Sequence, residues 1–369
     1  MEALLRGAPA IAARAKPSRR GALAAGAAIV LGSPAVAATE GGVIRWRMAT
    51  AWPKTMKGPG VSAQRLAARI NTMAGGRMEV ATFAAGEIVP AFAVADAVSN
   101  GTVEMGHTAS FFLQGKIAAS VFFTSVPFGL SPILHESWIG FGGGQALWEE
   151  LYRPLGLQPF LAGNTGPSLA GWFRREIRGP GDIKGLRIRV SGLGGELYRR
   201  MGAVPQVIPP GDVYPSLERG VIDAVELLGP MNDLDIGLQR IAPFCYVPGF
   251  NKPNGAAEAV INLAAWDKLP DDLKAIVREA CRAEHAAGLA EAQLGQGVAL
   301  REIASLPNVT LAGLPVEVLK DAHKIASALR QEIGATGALA GRILASYEAA
   351  AAQLRPWDRI SRVPDFHDN

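Results

Sequence analysis

Cysteine is nearly absent from this 369-residue chain, which carries only Cys245 and Cys281. Without a Cys-x-x-Cys pair, thiolate zinc sites and dithiol redox chemistry are excluded. A Cys245–Cys281 disulfide and two buried free thiols both remain open. Histidine is as sparse: His107, His135, His285, His323 and His367 are scattered, and no two have metal-ligand spacing. The chain has no Gly-x-Ser-x-Gly elbow and no Walker loop. Gly192-Leu193-Gly194-Gly195-Glu196-Leu197 has leucine where a dinucleotide fingerprint needs its third glycine, so it reads as a turn opening a helix. Gly142-Gly143-Gly144 carries no lysine and is also read as a turn. These gaps leave little for an enzyme to work with. Aromatic residues make up only 7% of the chain, against 43 glycines and an abundance of alanine, which favours helix-rich α/β packing over an all-β fold.

No apolar run reaches the roughly 20 residues that span a bilayer. The longest candidate, Ala22 to Leu31, follows the basic residues Arg6, Arg14, Lys16, Arg19 and Arg20 and precedes Ala35-Val36-Ala37. That order is the pattern of a cleaved export signal over residues 1–37. Arg19-Arg20 within Ser18-Arg19-Arg20-Gly21-Ala22-Leu23 points to twin-arginine (Tat) export, with Ala22 weak where a hydrophobic residue is expected. The segment holds five of the 37 basic residues and one of the 33 acids, so the remainder has 32 of each and is neutral. No basic surplus is left to attract nucleic acid.

The body of the chain reads as two successive α/β series. Val43–Met48 alternates as a strand, Val61–Met73 has helical spacing, Glu79–Phe83 is a strand, Phe92–Val98 is a helix and Val103–Met105 is a short strand. A second series begins near residue 160, with a strand at 185–190 whose Arg187 and Arg189 face outward. A helix at 194–201, a strand at 206–208, a helix at 212–217 and a strand at 222–225 follow. From Pro270 the pattern is helical almost to the end, interrupted by a short apolar stretch at 309–314, with the last helix starting at Ala338 and ended by Pro356. The expected fold class is α/β: two lobes with a cleft between them, and a helical C-terminal region. The lobes are expected at 41–162 with part of 248–270, and at 163–247, with 270–369 packing across both.

Three segments in order carry a resemblance: Ile183–Val190, Met201-Gly202-Ala203-Val204-Pro205 and Asp212–Glu226. This succession is similar to the central signature of the DctP-type solute-binding proteins of TRAP transporters. Gly86–Pro90, Glu104–Ser110, Val126–Leu130, Gly163–Gly166, Gly171–Arg174, Gly229–Asp233 and Tyr246–Gly249 further resemble the branch that binds 2-oxo acids. The likeness covers roughly residues 45–270. It implies a periplasmic protein with a periplasmic-binding-protein-like fold, whose two lobes close on a small organic acid in the ligand cleft and hand it to TRAP membrane subunits. It also implies a homodimer through the C-terminal helices, which the Ala-rich helix from Ala338 permits. Two other readings stay in view: an exported ligand sensor, and a Tat-exported enzyme with an unrecognised site.

The resemblance also assigns the site. Arg189 falls on the arginine that pairs with the ligand carboxylate, and a guanidinium suits that task because it presents a planar donor fork. Glu226 falls on a metal-ligating glutamate, so sodium or calcium is the cofactor the resemblance implies. The departures argue that none is required: Ser168 replaces a glutamine, Leu227 replaces a tryptophan, and Lys252 stands near an expected acid and is placed to pair with Glu226. Phe111 and Phe112 stand where hydroxylated aromatics are common, and with Leu227 they imply a ligand more apolar than pyruvate. Trp172 is expected to wall the pocket and Asn232 to make a polar contact. His107 is open between a cleft donor and a satisfied histidine at a strand end.

Overall fold

The computed structural model describes residues 42–361. The expected export segment, with Arg19 and Arg20, lies outside the described residues. The chain begins with β1 (Ile44–Thr50), α1 (Pro59–Ala74), β2 (Met78–Phe83), α2 (Val94–Ser99) and β3 (Met105–Thr108). It continues through α3 (Pro132–Phe141), α4 (Gly144–Tyr152) and β4 (Leu157–Asn164). Then come β5 (Gly171–Phe173), β6 (Arg187–Arg189), α5 (Leu193–Arg200), β7 (Val204–Gln206), α6 (Val213–Glu218), β8 (Ala224–Val225), α7 (Pro230–Ile236) and β9 (Phe244–Val247). The last part holds β10 (Ala256–Asn262), α8 (Leu263–Asp267), α9 (Asp271–Ser305), β11 (Thr310–Gly313), α10 (Val316–Gly334) and α11 (Ala338–Ile360).

These strands form two sheets, one per lobe, ordered β2-β1-β3-β10-β4 and β11-β9-β5-β8-β6-β7. Each sheet has one reversed strand: β10 runs antiparallel to β3 and β4, and β5 to β8 and β9. The other strands in each sheet are parallel, so their carboxyl ends lie on one side. Local sequence explains the elements. In β1, Trp46 and Met48 point inward while Arg45 and Arg47 are exposed, the period-2 pattern of a half-buried strand. Helix α1 opens on Pro59, which needs no intrahelical partner for its nitrogen, and buries Ala63, Leu66, Ala67 and Ile70. It stops at Gly75, whose left-handed φ of 57° a side chain would strain.

Two loop segments, 165–170 and 248–255, carry the chain between the lobes and are hydrogen-bonded to each other. Thr165 N donates to Gly255 O at 3.1 Å, Ser168 N to Lys252 O at 3.0 Å, and Ala170 N to Tyr246 O at 2.9 Å. Gly249 allows the approach, because a Cβ there would lie 1.8 Å from the Ser168 carbonyl oxygen. Helix α9 crosses as well, packing on α1 and β4 at one end and on α7 and β11 at the other. Its buried Glu284 accepts from Ser62 at 2.8 Å and from Arg65 at 2.7–3.0 Å on α1. Gln296, further along, accepts from Met231 N at 2.7 Å and donates to Thr165 O at 3.2 Å. The tail then spreads over both lobes, α10 against α5 and α11 against α3 and α4.

The expected two-lobed α/β architecture with a helical C-terminal region is the one observed, but several details differ. The strand expected at 206–208 is Val204–Gln206, because it pairs in parallel register with Arg187–Arg189. The one expected at 103–105 starts at Met105 and runs to Thr108. The apolar stretch at 309–314 is more than an interruption, since β11 extends the second sheet beside β9. Arg187 does face outward, on Asp223 at 2.5 Å, but Arg189 is buried at the cavity between the lobes. Pro356 does not end its helix, which continues to Ile360. A proline removes one hydrogen bond, and here it falls in the last turns, where the adjacent Arg355 ties the helix to Phe128 O at 2.9 Å.

Candidate functional site

A cavity of about 40 Å³ lies between the lobes, where the parallel strands of both sheets end. Trp52 follows β1, Phe111 and Phe112 follow β3, Thr165 follows β4, Ser191 follows β6 and Leu227 follows β8. Loops at the carboxyl ends of parallel strands are the usual place for a ligand in an open α/β sheet. By that measure the space holds about three or four water-sized groups.

Two cations line this cavity, Arg189 and Lys252, and no acid does. Arg189, only 2% exposed, donates from Nε to Ile208 O at 3.0 Å and from Nη1 to Glu226 O at 2.8 Å. Its Nη2 has no partner among the described residues. Burial pulls the guanidinium pKa down, while Glu226 and Asp233 push it up; an arginine remains charged even so. Lys252 is held on the 248–255 crossing. Its carbonyl accepts from Ser168 N and, at 3.1 Å, from Ser168 Oγ. Its Nζ lies 2.8 Å from Glu226 Oε1, donates to Leu227 O, and sits 6.0 Å above the Phe111 ring.

Glu226 is fully buried behind that ammonium. The ion pair is close, yet neither carboxylate oxygen receives a well-aligned hydrogen bond. Ser191 Oγ, on the cavity wall, is likewise buried without a partner. Buried polar groups are normally satisfied, so a cavity edged by an open hydroxyl and an open guanidinium nitrogen is built to receive acceptor atoms. Asp233 lies one layer deeper and accepts from Trp172 Nε1 at 3.1 Å and Leu228 N at 3.2 Å. Burial, and then the charge of Glu226, push its pKa up to about 7.

Of the residues singled out in the sequence, Arg189, Lys252, Phe111, Phe112 and Leu227 line the cavity. Ser168 and Glu226 support Lys252 from behind. Trp172 does not wall the pocket: it pairs with Val225 and Cys245 inside the second sheet and holds Asp233. Asn232 bridges the lobes rather than facing the cavity, donating to Lys57 O at 2.8 Å and accepting from Gln296 at 3.2 Å. His107 is a satisfied histidine. Its Nδ1 accepts from Trp52 Nε1 at 2.8 Å, so Nε2 carries the proton toward Ala162 O at 2.7 Å, and burial lowers its pKa. Cys245 and Cys281 are both buried free thiols. Sequence reasoning missed Trp52, Thr165 and Ser191. Each follows a strand within two residues, which was the available signal.

Residues 49–335 match the DctP family, bacterial extracellular solute-binding protein family 7. The chain belongs to this family. It is 37% identical over 320 residues to a monocarboxylate 2-oxoacid-binding periplasmic protein of Nostoc sp., covering 87% of each chain. A TRAP transporter solute-binding protein from Bordetella bronchiseptica is 35% identical with a TM-score of 0.84, covering 86% of this chain and 95% of that one. It is a mixed-occupancy dimer with copurified calcium and picolinate in one active site, the other being apo. A TRAP periplasmic solute-binding protein from Pseudoalteromonas atlantica, with bound sodium and pyruvate, is 33% identical with a TM-score of 0.83, covering 86% and 97%.

The present cavity does not fit such an ion. Calcium takes six to eight oxygen ligands, and among the described residues no group of three His, Cys, Asp or Glu side chains is placed to hold a metal. Glu226 offers a free oxygen, but the Lys252 ammonium stands against its other oxygen and takes the Leu227 carbonyl.

Proposed function

We propose that this family member captures a small monocarboxylate, a 2-oxo acid or a close relative, in the interlobe cavity and delivers it to TRAP-type membrane subunits from the periplasm. The observation that carries the reading is Arg189: a buried guanidinium, braced by two backbone carbonyls, with Nη2 left over at the cavity. A carboxylate there gains a charge-assisted bond in a dry site. Charge favours one carboxylate over two, since Arg189 and Lys252 are balanced by Glu226 and a single ligand charge. Trp52, Met56, Phe111, Phe112 and Leu227 suit a short alkyl tail, and the volume limits its length.

The protein works without catalysis in this reading. The cavity wall carries no histidine, cysteine or acid to serve as base or nucleophile, and among the described residues no helix is long and apolar enough to cross a membrane. Its action is hinge closure on the paired crossings at 165–170 and 248–255, with the closed shape presented to the partner. The lobes are taken as 41–162 with part of 248–270, and 163–247, with 270–369 across both. A homodimer through the C-terminal helices would have apolar surface to use, because Trp357 and Ile360 on α11 are 68% and 75% exposed; sedimentation of the purified protein measures it. Mass spectrometry of the protein as purified, followed by calorimetry with the acid found, tests the main reading. Recovery of a neutral or cationic ligand, with no carboxylate binding by calorimetry, would overturn it.

A further inference from the structure

We infer that the Lys252 ammonium is the resident cation of the carboxylate site, so that the ligand is held without calcium or sodium. The inference rests on the monocarboxylate reading above. It starts from the donor count. An ammonium has three N–H groups; one goes to Leu227 O, Nζ lies 2.8 Å from Glu226 Oε1, and a donor remains for the cavity that Lys252 lines. A metal ion in this position would need Glu226 and nearby carbonyls, and the ammonium already uses both. A second cation beside it would meet repulsion that a water-poor cavity screens little.

The ammonium is also fixed in place. Ser168 N and Oγ grip the Lys252 carbonyl, and the Lys252 amide donates to Gly249 O at 3.3 Å. Ser168 therefore does not face the ligand; it positions the lysine that does. Buried charge survives in a protein interior when it is paired, and Glu226, fully buried and otherwise unpartnered, has that role here. The resulting site has two separate anion-facing donors. Arg189 Nη2 takes the carboxylate, and the third Lys252 N–H takes the adjacent 2-oxo or 2-hydroxy oxygen. A fixed monovalent charge with one open donor thus replaces an ion that has to be recruited. Because Lys252 belongs to the crossing segment, its contact with ligand also links binding to the hinge.

The test is calorimetric titration of purified, chelator-treated protein in sodium-free buffer with pyruvate, 2-oxobutyrate and lactate, repeated with millimolar calcium and with sodium chloride. The expected result is an affinity that agrees within about threefold across the buffers. Binding that falls about tenfold or more without metal, and returns with calcium or sodium, overturns the inference and leaves the carboxylate reading standing. If none of the acids binds in any buffer, the carboxylate reading fails and this inference with it. Lys252→Met sharpens the test. It is expected to weaken binding about tenfold or more in metal-free buffer, and unchanged affinity there contradicts the assignment. The titration of the unmodified protein decides the matter even if that variant does not fold.

Discussion

Glu226 and Glu258 are both carboxylates sealed in the interior, one in each lobe, and the protein treats them in opposite ways. Glu258 lies in the middle of β10 and meets only hydroxyls: Ser110 Oγ at 2.7 Å and Tyr152 OH at 3.1 Å, both on Oε2. With no cation near, burial pushes its pKa up to about 7. Glu226 has no hydroxyl partner but has an ammonium 2.8 Å away and the Arg189 guanidinium bonded to its main-chain carbonyl. The first is a protonatable group absorbed into a sheet. The second is one member of a charge set left incomplete at a cavity edge. Burial alone does not mark a functional acid; what marks it is an arrangement that needs one more charge from outside.

The largest expected effect breaks the pair. Glu226→Gln leaves the Lys252 ammonium buried without its counter-charge, and stability should fall by about 3–5 kcal/mol in urea denaturation. A variant as stable as the parent would mean the ammonium is solvated after all. Next is Arg189→Ala, expected to cost about 2–5 kcal/mol of ligand binding, with Arg189→Lys restoring only part because the planar fork is lost. Calorimetry reads both.

Glu258→Gln should act in the reverse sense. In the folded chain Glu258 keeps its proton up to about pH 7, against 4.5 for the free group. The folded state therefore binds more protons between those values, and this residue's contribution to stability falls as pH rises through them. Glutamine keeps the hydrogen bonds and removes the fall, so the variant should gain about 3 kcal/mol relative to the parent between pH 4.5 and pH 8. His135 and His285, held down to about 4 by burial, shift stability in the opposite direction over part of that range. The difference between variant and parent isolates Glu258, and a difference that does not change with pH would show it ionised throughout. The smallest effect concerns closure. Lys57 bridges to Asp235 of the other lobe at 2.7 Å while about half exposed. Lys57→Ala should weaken ligand affinity by about 1 kcal/mol or less, and the loss should shrink with added salt.

Much of this was legible in the sequence. The order of the motifs from Ile183 to Glu226 carried the fold and brought Arg189 and Glu226 to attention, and a departure from the family pattern brought Lys252, before their contacts were known. What stayed hidden came from three-dimensional convergence. Trp52, Thr165 and Ser191 meet only because both sheets end at one cleft, and no local periodicity records that. Trp172 was misplaced because strand alternation says which residues share a face, and not whether that face meets a cavity or a core. Arg187 and Arg189 have the same parity, yet one lies exposed on Asp223 and the other is buried at the cavity. Asn232 looked like a ligand contact and is a bridge between lobes.

The central claim is that Arg189 and Lys252 together receive a small carboxylate between the lobes. A crystal structure of the protein with its copurified or added 2-oxo acid tests it most directly. The account predicts the carboxylate on Arg189 Nη2 and the neighbouring oxygen on Lys252 Nζ, with no ion between Lys252 and Glu226. A carboxylate bound away from Arg189, or a metal ion holding it against Glu226 with Lys252 displaced, would contradict it.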